Sequence, residues 1–381
     1  MPNMIDYIDW RGDLTFEQSR LNEVDNVLLV FFSFLNMKDI VSGVPGKKEI
    51  TLREATVRYL RKIKGEKISY GAIIPTQDIH RMARKMASSV RFGSILLSGY
   101  VDRIDRNKQE QFAAYTAVLD DGSAFVSFRG TDDTLVGWKE DLNMTYTKET
   151  AAQRSAVNYL AELSRNFSGS IRLGGHSKGG NLAVYASAMS PYSIRNRILR
   201  IYNNDGPGFT KEFVESEGYT EINKRIVKLV PQHSVVGMML YNDSNYTVVK
   251  SERTGIDQHN SYLWQVMGKR FVRMNNISEK TAVLNEALQR WLNGKDMDTR
   301  RALFEAIYEI MTAANAETLT DFSKDKLLLI RSISLVEPQK RDMVFRELSK
   351  LVADIIKAQA AALAPKPKEG KETEKNEKTR N

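Results

Sequence analysis

The chain has 381 residues, 42% of them hydrophobic, and a formal net charge of +9 from 56 basic and 47 acidic residues, with no cysteine. That is enough apolar material for one large or two medium domains with a real core. The missing cysteines exclude disulfides, thiolate metal sites and a cysteine nucleophile, and the longest apolar run, residues 27–35, is too short to span a bilayer.

In chain order, residues 1–48 read as an N-terminal arm with one buried helix, made by that apolar run behind Glu23 and Asp25. The opening MPNMIDYIDWRGD has neither a basic nor an apolar signal region, so no signal peptide is expected and the cytoplasm is the expected compartment. Residues 51–64 and 77–89 carry helical patterns. The period then changes: 94–104 and 111–119 read as strands, and the turn Asp120-Asp121-Gly122 leads to a third at 124–128. A helix at 150–167, a short buried strand at 171–173 and an alanine-rich helix at 178–189 follow. Strands are expected at 198–202, 225–230 and 246–249, with a helical turn at 211–216. Strands separated by helices predict a mostly parallel α/β sheet flanked by helices, with the early hairpin at one side. From Ser278 the pattern is helical throughout, about four helices at 280–291, 297–314, 323–335 and 338–363. The expected division is therefore an α/β domain with its N-terminal arm over 1–276, a helical appendage over 277–364 and a disordered charged tail over 365–381.

The first chemical signal is LGGHSKGGNLAVYAS, residues 173–187. An apolar strand enters Gly175-His176-Ser177-Lys178-Gly179, and a helix leaves it. A serine on so sharp a strand-to-helix turn projects its hydroxyl above the sheet, and small residues two before and two after let the backbone turn. The helix N-terminus behind it favours developing negative charge. Ser177 is thus the candidate nucleophile, against the plainer reading of a serine in a glycine-rich turn.

A serine nucleophile needs a base, and the chain has four histidines. His80 sits in a basic helix and reads as surface. His176 adjoins the serine, where an elbow turns neighbouring side chains apart. His233 and His259 lie downstream, as the order serine, acid, histidine requires. His259, in GIDQHNSYLW, reads as a loop entering an apolar helix and is preferred to His233. For the acid, Asp205 follows ILRIYNN and precedes Gly206-Pro207-Gly208, at the carboxyl end of a strand where open α/β sheets carry their sites. Asp243 is the second choice, and Asp257 stands too near the histidine in sequence. An oxyanion hole takes backbone N–H donors. Lys178 supplies one, and Thr131, after AFVSF and Arg129-Gly130, supplies the other.

FRGTDD…GWKEDL together with GGHSKGGNLA resembles the class 3 lipases, which pair an FRGT-type oxyanion segment with a GHSxGG elbow. YIDWRGDLTF, EVDN, YNNDGPGF, PQHSVVGMML and DQHNSYLW are similar to a group of bacterial lipase-like proteins known as a domain of unknown function. The resemblance covers about residues 5–270 and implies an α/β-hydrolase-like fold. It implies Ser177 as nucleophile, His259 as base, and Thr131 and Lys178 at the oxyanion hole. Two positions depart from the pattern. Where class 3 lipases carry their aspartate, this chain has Ser234, so either Asp205 has taken the role or the triad is incomplete. Where they have leucine, this chain has Lys178, which is expected to reach solvent rather than to select an anionic substrate.

The expected function is hydrolysis of an ester or thioester through Ser177, His259 and Asp205, on a small-molecule ester or lipid-like substrate. The alternative is an inactive hydrolase scaffold that binds a ligand or protein. No metal and no cofactor is expected, since serine acyl transfer needs neither and the histidines are scattered. No nucleic-acid motif is present; a peripheral membrane contact is left open. Residues 132–149 are expected to form a mobile lid, with Trp138 and Leu142 as apolar anchors or as core.

Overall fold

The computed structural model describes residues 1–66, 68, 76–241 and 245–363. The N-terminal arm holds two helices where one was expected. These are α1 (Met4–Arg11) and α2 (Glu23–Phe32), each opened by an asparagine capping box. Strand β1 (Ile50–Thr51), α3 (Leu52–Lys62), α4 (Thr76–Ser88) and α5 (Val90–Gly93) lead to the antiparallel strands β2 (Leu96–Asp105), β3 (Glu110–Val118) and β4 (Ala124–Phe128).

The α/β units follow. Helices α6 (Leu135–Asn143) and α7 (Ala151–Asn166) precede β5 (Ile171–His176), and α8 (Lys178–Met189) and α9 (Tyr192–Arg195) precede β6 (Ile198–Asn204). Then come α10 (Lys211–Val214), α11 (Glu217–Ile222), β7 (Ile226–Pro231) and β8 (Tyr246–Val249). A small hairpin, β9 (Val266–Met267) with β10 (Arg270–Phe271), precedes β11 (Arg273–Met274).

The main sheet runs β1-β2-β3-β4-β5-β6-β7-β8-β11. Its pairs from β4 through β8 are parallel, and those before β4 and after β8 are antiparallel. The expected mostly parallel sheet is thus the centre of a mixed one, with antiparallel strands on both sides. The period-two alternation explains why both faces are dry. Tyr115, Ala117 and Phe125 face a core made with α1 to α5, whereas Phe112, Ala114, Val126 and Phe128 face a second core made with α7, α8 and α11. Under the first face, Arg91 and Asp25 form a fully buried bidentate pair, joined by the Tyr7 hydroxyl, which donates to Asp25.

The C-terminal part forms five helices among the described residues, not four: α12 (Glu279–Asn293), α13 (Met297–Thr312), α14 (Leu319–Lys324), α15 (Lys326–Leu335) and α16 (Pro338–Leu363). The expected helix at 323–335 breaks because Asp325 is extended and its carboxylate accepts from the Leu327 amide, so it starts a new helix rather than continuing the old one. Leu303, Ala306, Ile310, Val336 and Val344 make a separate small core. No helix among the described residues is long and apolar enough to cross a membrane. The charged stretch 365–381 lies outside the described residues, as does Asp243.

Candidate active site

Strands β5 and β6 are parallel neighbours, and each is followed at once by a non-glycine residue with left-handed backbone. Ser177 has φ 56° and ψ −131°, and Asp205 has φ 53°. Such conformations are strained and persist only where the surroundings impose them. At Ser177 the imposition is close packing: a Cβ on Gly175 would fall on the backbone of Gly179. Ser177 occupies the N-cap position of α8, yet its side chain makes no capping bond. Its amide donates to the Asn204 carbonyl at 3.0 Å, which ties the elbow to β6.

Asp205 and His259 meet. His259 Nδ1 lies 2.7 Å from Asp205 Oδ2, with both residues buried. The other Asp205 oxygen accepts from Ser234 Oγ at 2.5 Å. Lys228, whose Nζ donates to the Gly237 carbonyl at 2.6 Å, brings a positive charge near Asp205, and burial pushes its ammonium down to about 8. His259 does not lead into an apolar helix. It closes a short 3-10 turn, Gly255–His259, and another, Ser261–Leu263, follows, so polar Gln258 and Asn260 can pack inward where a helix would have spread them round. His176 lines the same cavity as Ser177, and its Nε2 lies 2.6 Å from the His259 carbonyl oxygen. Burial holds His176 well below its ordinary value, with the nearby His259 adding to the effect, so the ring is neutral and Nε2–H is the donor to that carbonyl. His233 stands apart, bonded to Ser278 and Thr281 at the start of α12.

Thr131 faces the same cavity as Ser177 and Lys178. Its hydroxyl donates to Asp141 Oδ2 at 2.7 Å. Burial pushes the Asp141 carboxyl up to about 6, partly offset by Lys178 and the Thr131 bond, and its Oδ1 has no hydrogen-bond partner among the described residues. Lys178 does not reach solvent. Its ammonium is fully buried, donating to Glu140 at 2.8 Å and to the side chain and carbonyl of Gln111 at 2.6 and 2.7 Å. Lysine fits in a dry place only because a carboxylate waits there.

That carboxylate belongs to α6, inside the segment expected to be a mobile lid. Glu140 also accepts from the amides of Gln111 and Ala152, and Lys139, buried as well, pairs with Glu305 of α13 at 2.8 Å. Residues 135–143 form a helix tied by these bonds to β3, α7, α8 and α13, and it walls the cavity. Trp138 and Leu142 line the cavity.

The cavity over Ser177 and His259 measures about 410 Å³. Its walls include Phe31 and Phe34 from α2 and its C-terminal flank, and side chains from α12, α13 and α16. Sequence reasoning missed that roof, and it missed His176, Ser234 and Asp141 as partners of the site. The excess of apolar positions on the C-terminal helices was a visible signal for the first; nothing local marked the others. Among the described residues, no group of three or more histidine, aspartate or glutamate side chains is arranged to hold a metal ion.

A serine on a strand-to-helix elbow, beside a histidine–aspartate pair at the carboxyl edge of parallel strands, places the chain among lipase-like α/β proteins. More particularly, it belongs to the Mbeg1-like family, whose model matches residues 86–309. The match runs from the end of α4 into α13, past the point where the motif resemblance stops. A crystal structure of M37 lipase is a distant neighbour, 12% identical with a TM-score of 0.36, the alignment covering 56% of this chain and 68% of that one. No curated protein matches the chain.

Proposed function

We propose that the chain is a serine hydrolase of carboxylic esters or thioesters. The observation that carries this reading is the 2.7 Å contact between Asp205 Oδ2 and Nδ1 of His259, which lines the same cavity as Ser177. Asp205 fixes the tautomer of His259, leaving Nε2 free to act as base. Ser177 Oγ attacks the carbonyl carbon and His259 takes its proton. The amides of Thr131 and Lys178 receive the oxyanion, at the positive end of α8. Collapse of the tetrahedral adduct expels the alcohol or thiol, which takes the proton from His259. Water, activated by the same histidine, then releases the acid and restores Ser177.

The absence of an acid at position 234 motivated the inactive-scaffold reading. The contact of Asp205 with His259 supports the catalytic reading over it. The test is labelling with a fluorophosphonate probe, with the modified residue located by mass spectrometry. Labelling at Ser177, lost in Ser177→Ala and strongly slowed in His259→Ala, is the expected result. A well-folded protein that neither labels nor cleaves any ester of a panel overturns the reading.

A further inference from the structure

The helices after residue 278 are bolted to both rims of the site. On the acid side, Asn285 and Gln289 of α12 donate to the carbonyls of Ser234 at 3.0 Å and Met238 at 2.9 Å, and the Ser278 amide donates to Gln232 at 2.8 Å. On the oxyanion side, the Leu135 amide donates to Glu317 at 2.9 Å and the Leu319 amide to Asp133 at 3.0 Å. Arg300 donates to the Thr145 carbonyl at 3.0 Å. The indole of Trp291 donates to the Glu347 carbonyl at 3.1 Å and links α12 to α16. Asn285 and Gln289 also line the cavity, and the rest of the surface that these helices turn to it is apolar: Leu288 and Trp291 from α12, Phe304 and Ile307 from α13, Leu348 and Leu351 from α16.

We propose that α12, α13 and α16 form the acyl-chain subsite of the Ser177 site, with Leu288 and Leu351 as residues that set chain length. The inference rests on the hydrolase reading for its chemistry and adds to it where the substrate's apolar part lies. A mainly apolar lining with two amide side chains on one helix suits a ligand whose reacting end is polar and whose remainder is a chain. The occupant is a single acyl chain entering with its carbonyl at Ser177. Helix α6 is tied through Glu140 to Lys178 and through Lys139 to Glu305, so the length limit is assigned to the apolar side chains of the C-terminal helices. Each methylene buried against them is worth about a fourfold gain in affinity.

The test uses the full chain and p-nitrophenyl acetate, octanoate and palmitate. Leu288→Trp and Leu351→Trp fill the cavity, and Leu351→Ala opens it. Filling is expected to lower kcat/KM for octanoate by about tenfold or more while acetate hydrolysis and fluorophosphonate labelling of Ser177 hold within about threefold. Opening is expected to raise palmitate relative to octanoate. The proposal falls if the filling variants reduce all esters alike, or none. Should a filling variant fail to fold by circular dichroism, Leu351→Ala decides, and an unchanged chain-length profile overturns the proposal. A second arm is independent of turnover: binding of a dansyl-labelled undecanoic acid to Ser177→Ala. Binding that weakens about tenfold with either filling substitution keeps the subsite even if no ester is cleaved and the hydrolase reading fails. No binding, or equal binding by all variants, removes the subsite whatever Ser177 does.

Discussion

Ser234 Oγ donates to the carboxylate of Asp205 at 2.5 Å, so the position that the class 3 resemblance would give to the acid is bonded to the carboxylate proposed as the acid, at the end of the neighbouring strand. The two positions converge on one spot beside His259. Asp205→Asn should lower kcat for a short ester by up to about 10⁴-fold, because the histidine loses its oriented tautomer. Adding Ser234→Asp to that variant should recover part of the loss. Steady-state kinetics on the single and double variants decide the matter; a double variant no better than Asp205→Asn would show that only Asp205 presents a carboxylate usefully.

Gly237 lies across the same carboxylate. A Cβ there would collide with Asp205 Oδ1 and press on Ser234 Oγ. Gly237→Ala is expected to cost about 1–3 kcal/mol of stability through overpacking and to lower kcat more than it alters KM. Thermal melts and kinetics with p-nitrophenyl acetate measure both. Wild-type kcat in this variant would mean that the loop yields without moving Asp205.

His176 grips the backbone of His259, not its ring nitrogens. His176→Phe keeps an aromatic ring against Phe31 but deletes the donor. The expected result is a kcat about 10- to 100-fold lower, with fluorophosphonate labelling slowed in proportion. An unchanged rate would reduce His176 to a packing residue.

Asp141 carries the pH dependence. Its folded carboxyl is raised to about 6, mainly by burial, whereas an unfolded aspartate titrates near about 3.9. The folded state therefore holds the proton more tightly. Ionising the buried group costs stability that begins to be lost above the unfolded value and is fully lost once pH passes the folded one. Asp141→Asn has no such cost. Its melting temperature relative to wild type should rise between pH 4 and pH 7, by differential scanning fluorimetry. A flat difference would place the charge in a wetter setting than its buried Oδ1 implies.

The Lys178–Glu140 pair makes the opposite point about charge. Lys178→Leu, the residue usual in class 3 lipases, strands a fully buried carboxylate here. The expected loss is about 3–5 kcal/mol, read by urea denaturation. A stable leucine variant would mean that Glu140 is protonated or finds water.

The parallel centre of the fold was legible because its strands are apolar runs between capped helices. Residues 124–128, 178–189, 246–249 and 338–363 form elements with the bounds read from sequence. Edges were less legible: β1, β9, β10 and β11 are two residues each and leave no periodicity to detect. Helix α6 was missed because its buried side includes Lys139 and Glu140, which pattern reading assigns to water; each is made tolerable by a partner far away in sequence. The contact of Asp205 with His259 followed from chain order and sheet edge, since both constrain where an acid and a base can stand. The bonds of Ser234 and His176 depend on atoms 29 and 83 residues apart and have no local signature.

Strand order in the main sheet follows chain order from β1 through β8. Each new strand has its partner already made, so the sheet can lengthen in one direction as the polypeptide leaves the ribosome, without waiting for a distant segment to return. The helices that close over Ser177 are translated after all of it. During synthesis the elbow and its histidine–aspartate pair can assemble as an open trough, and the proposed acyl-chain subsite is completed only with the final stretch of chain.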